Sequence, residues 1–263
     1  TFSKGLNSVD NDDKASYVFG EKEIWLTHSI ESKNMVAIFF LNEEGRNDAL
    51  GVVNEHGGKN IAKKLYSLDR ISLYSKADLQ ENGANATPIK TVHFEYSYDL
   101  CQGVPNQVNT AYGKLTLTGL YFTYGNSTKG KLNKYKFHYE EADSDLNPDY
   151  NSQNYDRWGT YKNQDDNPSS LSNEDFPYTI QDTALANEFA AVWSLRSIDL
   201  PSGGTIEVTY ESDDYAYVMN KRAAQMFIID GFGNSPTATP SNKLYDDGPN
   251  NYVFLTVPVS VNN

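Results

Sequence analysis

One cysteine, Cys101, serves a chain of 263 residues, so no internal disulfide can staple the fold. A chain of this length can bury a core without one, and the count neither requires nor forbids an oxidising compartment. Long apolar runs are missing too. The longest, Met35 to Leu41, has the length of a strand and falls far short of the roughly 18–20 residues a membrane-spanning helix needs. Positive charge is scarce: 22 Lys and Arg against 35 Asp and Glu give a net charge of −13 and a pI near 4.7. Such a balance repels a phosphate backbone and argues against nucleic acid as a partner. Catalytic signatures are also lacking. There is no HExxH and no GxSxG, and Cys101 has no motif around it that would make it a nucleophile.

What the chain has in quantity is tyrosine, 19 residues of it, among abundant Asn, Asp, Ser and Thr. That composition suits sheets joined by polar loops. The clearest hairpin is WSLRSIDLPSGGTIEVTYE, residues 193–211. Ile206, Val208 and Tyr210 alternate with polar neighbours, as a half-buried strand does, and Pro201 to Gly204 supply the backbone angles of a short turn. Its spacing occurs twice earlier. The outgoing strands read Leu68, Ile71, Leu73; Leu117, Leu120, Phe122; and Leu195, Ile198, Leu200. The return strands read Val92, Phe94, Tyr96; Tyr135, Phe137, Tyr139; and Ile206, Val208, Tyr210. Each outgoing strand takes a first step of three residues instead of two, which flips the apolar parity and calls for a bulge. Gly119 stands where such a bulge belongs. The expected fold is therefore all-β, mainly antiparallel repeated β-hairpins with one or two short helices.

Along the rest of the chain, YVF, IWL and MVAIFFL before residue 42 read as strands, the last of them central because it is apolar on both faces. Residues 42–64 read as a long loop, ADLQ (77–80) as a helical turn, Asp182 to Trp193 as a short amphipathic helix, and the region from Asn220 to Met226 as another. Tyr252 to Val261 reads as an edge strand. We expect one β-rich unit over 1–263, with a sub-boundary near 100–113 and a long polar loop at 142–177. The ends read as those of a piece cut from a longer chain.

Several constellations compete with plainer explanations. Gly125 to Lys131, GNSTKGK, imitates a phosphate loop, but Leu132 stands where the metal-binding hydroxyl belongs, and the stretch joins two strands; it reads as a hairpin turn. His28, His56, His93 and His138 stand at no metal-ligand spacing and read as surface histidines. Asp143, Asp145, Asn147 and Asp149 occupy the odd positions that begin a calcium loop. Pro148 replaces the turn glycine and Asn154 replaces the bidentate Glu, so Ca²⁺, the one cofactor the chain suggests, has an incomplete site. Tyr155, Arg157, Trp158 and Tyr161 cluster with Tyr150 around Asp156 and Gly159. Exposed, these rings would offer flat faces to glycans or to a partner protein; aromatics beside a glycine turn commonly pack inward, and we expect a satellite core that pins the loop.

KTVHFEYSYD, NKYKFHYEEAD, LPSGGTIEVTYES and YDRWGTY together resemble sequences of the RHS or YD-repeat family over roughly residues 65–230. Tyr155, Asp156 and Gly159 match the YD element, whereas Thr160 replaces its Arg. The resemblance implies an extracellular β-scaffold within a giant bacterial surface or secreted protein, in some relatives a shell around a toxin. The expected function is structural or adhesive and non-catalytic, with other segments of the same polypeptide, other surface proteins or glycans as partners. A carbohydrate-binding module or glycosidase domain is the competing expectation, and a toxin-carrying shell a third.

Overall fold

The computed structural model describes residues 7–9, 14–15, 18–109, 111–139, 147–179, 182–213, 216–218, 220–222, 224, 226–245 and 248–257. Its strands run in chain order as β1 (Asn7–Val9), β2 (Lys14–Ala15), β3 (Ser29–Glu31), β4 (Met35–Leu41), β5 (Leu50–Asn54), β6 (Gly57–Lys64), β7 (Leu68–Ser75) and β8 (Lys90–Ser97). They continue as β9 (Thr116–Thr123), β10 (Tyr135–His138), β11 (Ser197–Asp199), β12 (Thr205–Glu207), β13 (Tyr217–Val218), β14 (Lys221–Arg222), β15 (Ile229–Gly233) and β16 (Tyr252–Leu255). Two short α-helices, α1 (Lys76–Asn82) and α2 (Thr183–Ala190), and a few 3-10 turns accompany them. The fold is all-β and mainly antiparallel. Among the described residues no helix is long and apolar enough to cross a membrane.

The chain divides into two compact units, a larger one of residues 17–151 and 191–209 and a smaller one of 1–16, 152–190 and 210–263. The connector 100–113 falls inside the larger unit, and the chain passes from one unit to the other near 16, 151, 190 and 210.

An eight-stranded sheet in the order β12-β11-β10-β9-β8-β7-β4-β3 dominates the larger unit. The three expected hairpins are β7–β8, β9–β10 and β11–β12, and they stand side by side in that sheet as a continuous meander. Cross-strand pairs carry one apolar face across it: Phe39 opposite Ile71, Ile71 opposite Val92, Val92 opposite Phe122, Phe94 opposite Leu120, Phe137 opposite Ile198, and Ile198 opposite Ile206. The other face carries polar pairs. Ser72 and Thr91 hydroxyls lie 3.0 Å apart, Lys134 meets Glu95 at 2.6 Å, and His138 meets Asp199 at 3.0 Å.

Bulges fall at the three-residue steps of the first two outgoing strands, while β11 pairs in regular register on both sides and shows none. Register passes from Phe40 opposite Arg70 to Leu41 opposite Leu68, which leaves Asp69 as the extra residue in β7. It passes from Glu95 opposite Gly119 to Tyr96 opposite Leu117, which leaves Thr118 as the extra residue in β9. A bulge leaves main-chain groups outside the ladder, and here a tyrosine serves them. The Tyr96 hydroxyl donates to the Leu68 carbonyl at 2.9 Å, and the Tyr139 hydroxyl donates to the Leu117 carbonyl, also at 2.9 Å. The two hairpins thus share a device, an outgoing bulge secured by the last tyrosine of the return strand.

Several local expectations meet their structures. ADLQ lies in α1, which stops at Gly83, whose N–H bonds the Leu79 carbonyl. Asp182 caps α2 by accepting from the Leu185 N–H at 3.0 Å. The phosphate-loop imitation joins β9 to β10, and a β-carbon at Gly130 would lie 1.7 Å from the Phe122 carbonyl oxygen, so only glycine fits that turn. Three expectations are corrected. Residues 50–64 form the hairpin β5–β6, not a loop, because Gly57 takes φ +89° and lets the chain reverse after Asn54. Val18, Phe19 and Ile24 to Leu26 belong to no strand, and Tyr17 lies outside the described residues; MVAIFFL, as β4, takes its partners from β3 and β7 and leaves them none. Around Asn220 the chain makes the hairpin β13–β14 with Asn220 at φ +63°, a left-handed conformation that Asn tolerates and that ends any helix there. The alternation from Tyr252 yields β16 paired with β15, and from residue 258 the expected strand lies outside the described residues.

Candidate functional site

The YDRWGTY stretch folds as a tight turn in the smaller unit, bridged between Tyr155 and Tyr161. Asp156 organises it. Its Oδ1 accepts from the Trp158 N–H at 2.8 Å and the Thr160 N–H at 2.9 Å, while its own N–H donates to the Thr160 carbonyl at 2.8 Å. Gly159 takes φ +86° at the return, where a β-carbon would be strained. A carboxylate that caps the turn and a glycine that closes it hold residues 155–161 as one turn.

The turn raises its apex into solvent. Trp158 is 45 % exposed and Tyr155 43 % exposed, and Arg157 between them is exposed as well. Trp158 meets Tyr178 edge to face, with ring centroids 6.4 Å apart. Tyr161 faces the other way and packs edge to face on Phe189 of α2 at 5.5 Å. Burial pushes its hydroxyl pKa up, against a hydrogen bond from Asn154 that lowers it. The expected satellite core is thus correct for Tyr161 and wrong for Tyr155 and Trp158, because a capped turn needs no apolar burial to hold its shape. Tyr150 belongs to the larger unit, where its N–H donates to the Gln102 carbonyl at 2.7 Å.

Beneath the turn lies a polar core that no pattern in the sequence announces. Lys162, Asn167, Asn173 and Thr179 are buried. Asn173 Nδ2 donates to the carbonyls of Gln153 (3.0 Å) and Lys162 (2.9 Å), and its Oδ1 accepts from Asn167 Nδ2 at 2.8 Å. Asn167 Oδ1 accepts from the Thr179 hydroxyl at 2.9 Å, and the Lys162 ammonium donates to the Thr179 carbonyl. Burial lowers the Lys162 pKa, with Asp156 opposing it. Four side chains therefore satisfy the main chain of a loop that has almost no ladder of its own. The only advance signal was the loop's richness in Asn, which does not say which Asn is buried.

The candidate calcium ligands are not brought together among the described residues. Asp143 and Asp145 lie outside them. Asn147 acts as a joint: its Nδ2 donates to the Tyr139 carbonyl at 2.7 Å and its Oδ1 accepts from the Trp193 N–H at 2.8 Å, so that oxygen is committed. Asp149 is exposed. No group of three or more His, Cys, Asp or Glu residues stands at metal-binding distance among the described residues.

What the turn offers chemically is planar apolar faces beside a guanidinium, suited to stacking and to hydrogen bonds with a hydroxyl-rich or protein surface. Comparison with protein-family models, with curated proteins and with solved structures finds no match.

Proposed function

We propose that this chain is a non-catalytic scaffold segment of a large bacterial surface or secreted protein, of the RHS or YD-repeat kind, structural or adhesive in role. One observation carries the reading: three hairpins of like apolar spacing stand side by side in an eight-stranded sheet, two of them secured by the same tyrosine bond. An array that grows by adding hairpins is a way of making length and surface, and each hairpin buries its apolar face by leaning on the next. Both terminal strands, β3 and β12, have an outer edge that no described strand covers, and other segments of the same polypeptide would continue the sheet there. The intact mass of the native polypeptide tests the reading. Several hundred kilodaltons is the expected outcome, and a mass near that of these 263 residues removes it.

A second reading, glycan binding, rests on the exposure of Trp158 and Tyr155 beside Arg157. Sugar rings stack on such faces, and one exposed indole commonly dominates the energy of a small interface. A glycan array probed with the chain and with Trp158→Ala decides it. Binding lost in a folded variant supports the reading, and silence from both proteins leaves the scaffold alone.

A further inference from the structure

The larger unit holds a groove of about 960 Å³ bounded by residues 19–23, 48–53 and 63–65, with Arg46 and Lys114 at its walls. Strand β5 forms one side of it. Among the described residues β5 pairs with β6 alone. Leu50 at its start donates its N–H to the Asn106 carbonyl at 3.0 Å, and beyond that point the outer edge from Gly51 to Val53 has no strand partner. Val52 and Val53 are 43 % and 60 % exposed. An open edge flanked by exposed valines is a template for one more strand.

The charge at this edge runs against that of the chain. Lys22, Arg46, Lys63, Lys64 and Lys114 line the groove with three carboxylates, in a protein whose net charge is −13. Two of those carboxylates are already engaged. Asp48 accepts from Arg46 Nε and Nη2 at 3.0 and 2.7 Å and from the Leu115 N–H at 2.9 Å, and Glu21 lies 3.6 Å from Lys63. The remaining ammonium groups are placed to meet carboxylates brought by something else.

We propose that the groove takes an extended peptide strand from another protein, one that alternates apolar and acidic side chains, added to the open edge of β5. Main-chain hydrogen bonds would supply the attachment, Val52 and Val53 the apolar contact, and the lysines the preference for acid. This reading does not depend on the scaffold proposal.

The probe is a fluorescent nonapeptide, GTIEVTYES, which repeats residues 204–212 and alternates in the required way. Its counterpart carries Lys at both Glu positions. Anisotropy titration of the whole chain is expected to show saturable binding of the acidic peptide that weakens with salt, and none of the counterpart. Lys22→Glu with Lys114→Glu weakens binding about tenfold or more, since it reverses two unpaired groove charges and alters no backbone. Val52→Pro and Val53→Pro are made separately, because adjacent residues of a strand send their N–H groups to opposite edges. One proline loosens the β5–β6 hairpin, seen in its melting, and the other leaves the fold intact and abolishes binding. Failure of the acidic peptide to bind, equal binding of the counterpart, or indifference to both prolines overturns the proposal. Displacement of the peptide by heparin with neither proline having an effect assigns the groove to sulfated polysaccharide and overturns it too. Self-association abolished by the charge reversal, without peptide binding, assigns the groove to a second copy, with the same consequence.

Discussion

In the hairpin sheet, order comes from side chains that recur. Tyr96 and Tyr139 make the same bond to the same place in successive hairpins, and apolar partners face each other across every pair of hairpin strands. In residues 152–179 nothing recurs. That segment is held by single-use contacts: one carboxylate caps one turn, and two asparagines, a threonine and a lysine fill the space beneath. The buried residues divide in the same sense. All seven buried apolar side chains among the described residues belong to the larger unit, and the smaller unit's buried side chains are Lys162, Asn167, Asn173 and Thr179. A repeated sheet can lose one contact and keep its pattern, whereas a polar core fails as a network once a member is missing.

The largest effect should follow from striking that network. Asn173→Ala removes its two bonds to the Gln153 and Lys162 carbonyls and one acceptor of Asn167 Nδ2, which keeps only the Leu171 carbonyl at 2.7 Å. Buried polar groups left unsatisfied cost about 1–3 kcal/mol each, so a local loss of about 3 kcal/mol is expected. Hydrogen exchange across 152–179 should then quicken by about a hundredfold while amides of β7 to β10 keep their protection. Equal loss in the sheet would erase the contrast between the regions. A smaller effect belongs to the sheet: Tyr96→Phe and Tyr139→Phe each remove one hydrogen bond and leave the ring, at about 1 kcal/mol apiece. Urea unfolding of the single and double variants should give two similar losses that add. A loss at one site and none at the other would mean that the two hairpins share a spacing and not a device.

This division also explains what could be read in advance. The three hairpins and the bulges at the first two steps follow from the spacing of Leu68, Ile71, Leu117 and Leu120, because a strand's faces alternate and a three-residue step breaks that alternation; the second bulge falls at Thr118, one residue before the expected Gly119. The β5–β6 hairpin escaped because Gly51, Gly57 and Gly58 dilute the alternation of a short strand. In the loop, the residue types were legible and their partners were not. Trp158 and Tyr161 lie three positions apart in one turn, yet one is exposed and the other packs on Phe189, which arrives from a helix 28 residues further along. Long-range hydrogen bonds such as Asn173 to the Gln153 carbonyl leave no period behind.

Acidity separates the two regions with the smallest perturbation. His93 stands on the polar face of the sheet, stacked on Tyr121 with centroids 4.6 Å apart and hydrogen-bonded to the Thr123 hydroxyl at 3.0 Å. Burial lowers its pKa; Asp69 and Glu95 pull it up and Arg70 pushes it further down, and the net direction is downward. The folded sheet therefore binds this proton less readily than the unfolded chain does, so its stability is full above the ordinary histidine pKa of about 6.5 and declines as the pH falls below it. Residues 152–179 contain no histidine, and their buried titrating group is Lys162, whose pKa is also lowered by burial. For that lysine the same sign places the gain in stability on the alkaline side, as the pH rises through the folded pKa toward about 10.5. Lowering the pH from 7 to 5.5 should thus shift the urea midpoint of the sheet downward by a small amount, and His93→Phe should flatten that response while Lys162→Met leaves it in place. A variant lacking His93 that keeps the full acid response would show that the proton enters elsewhere, and the sheet's polar face would lose its claim to the difference.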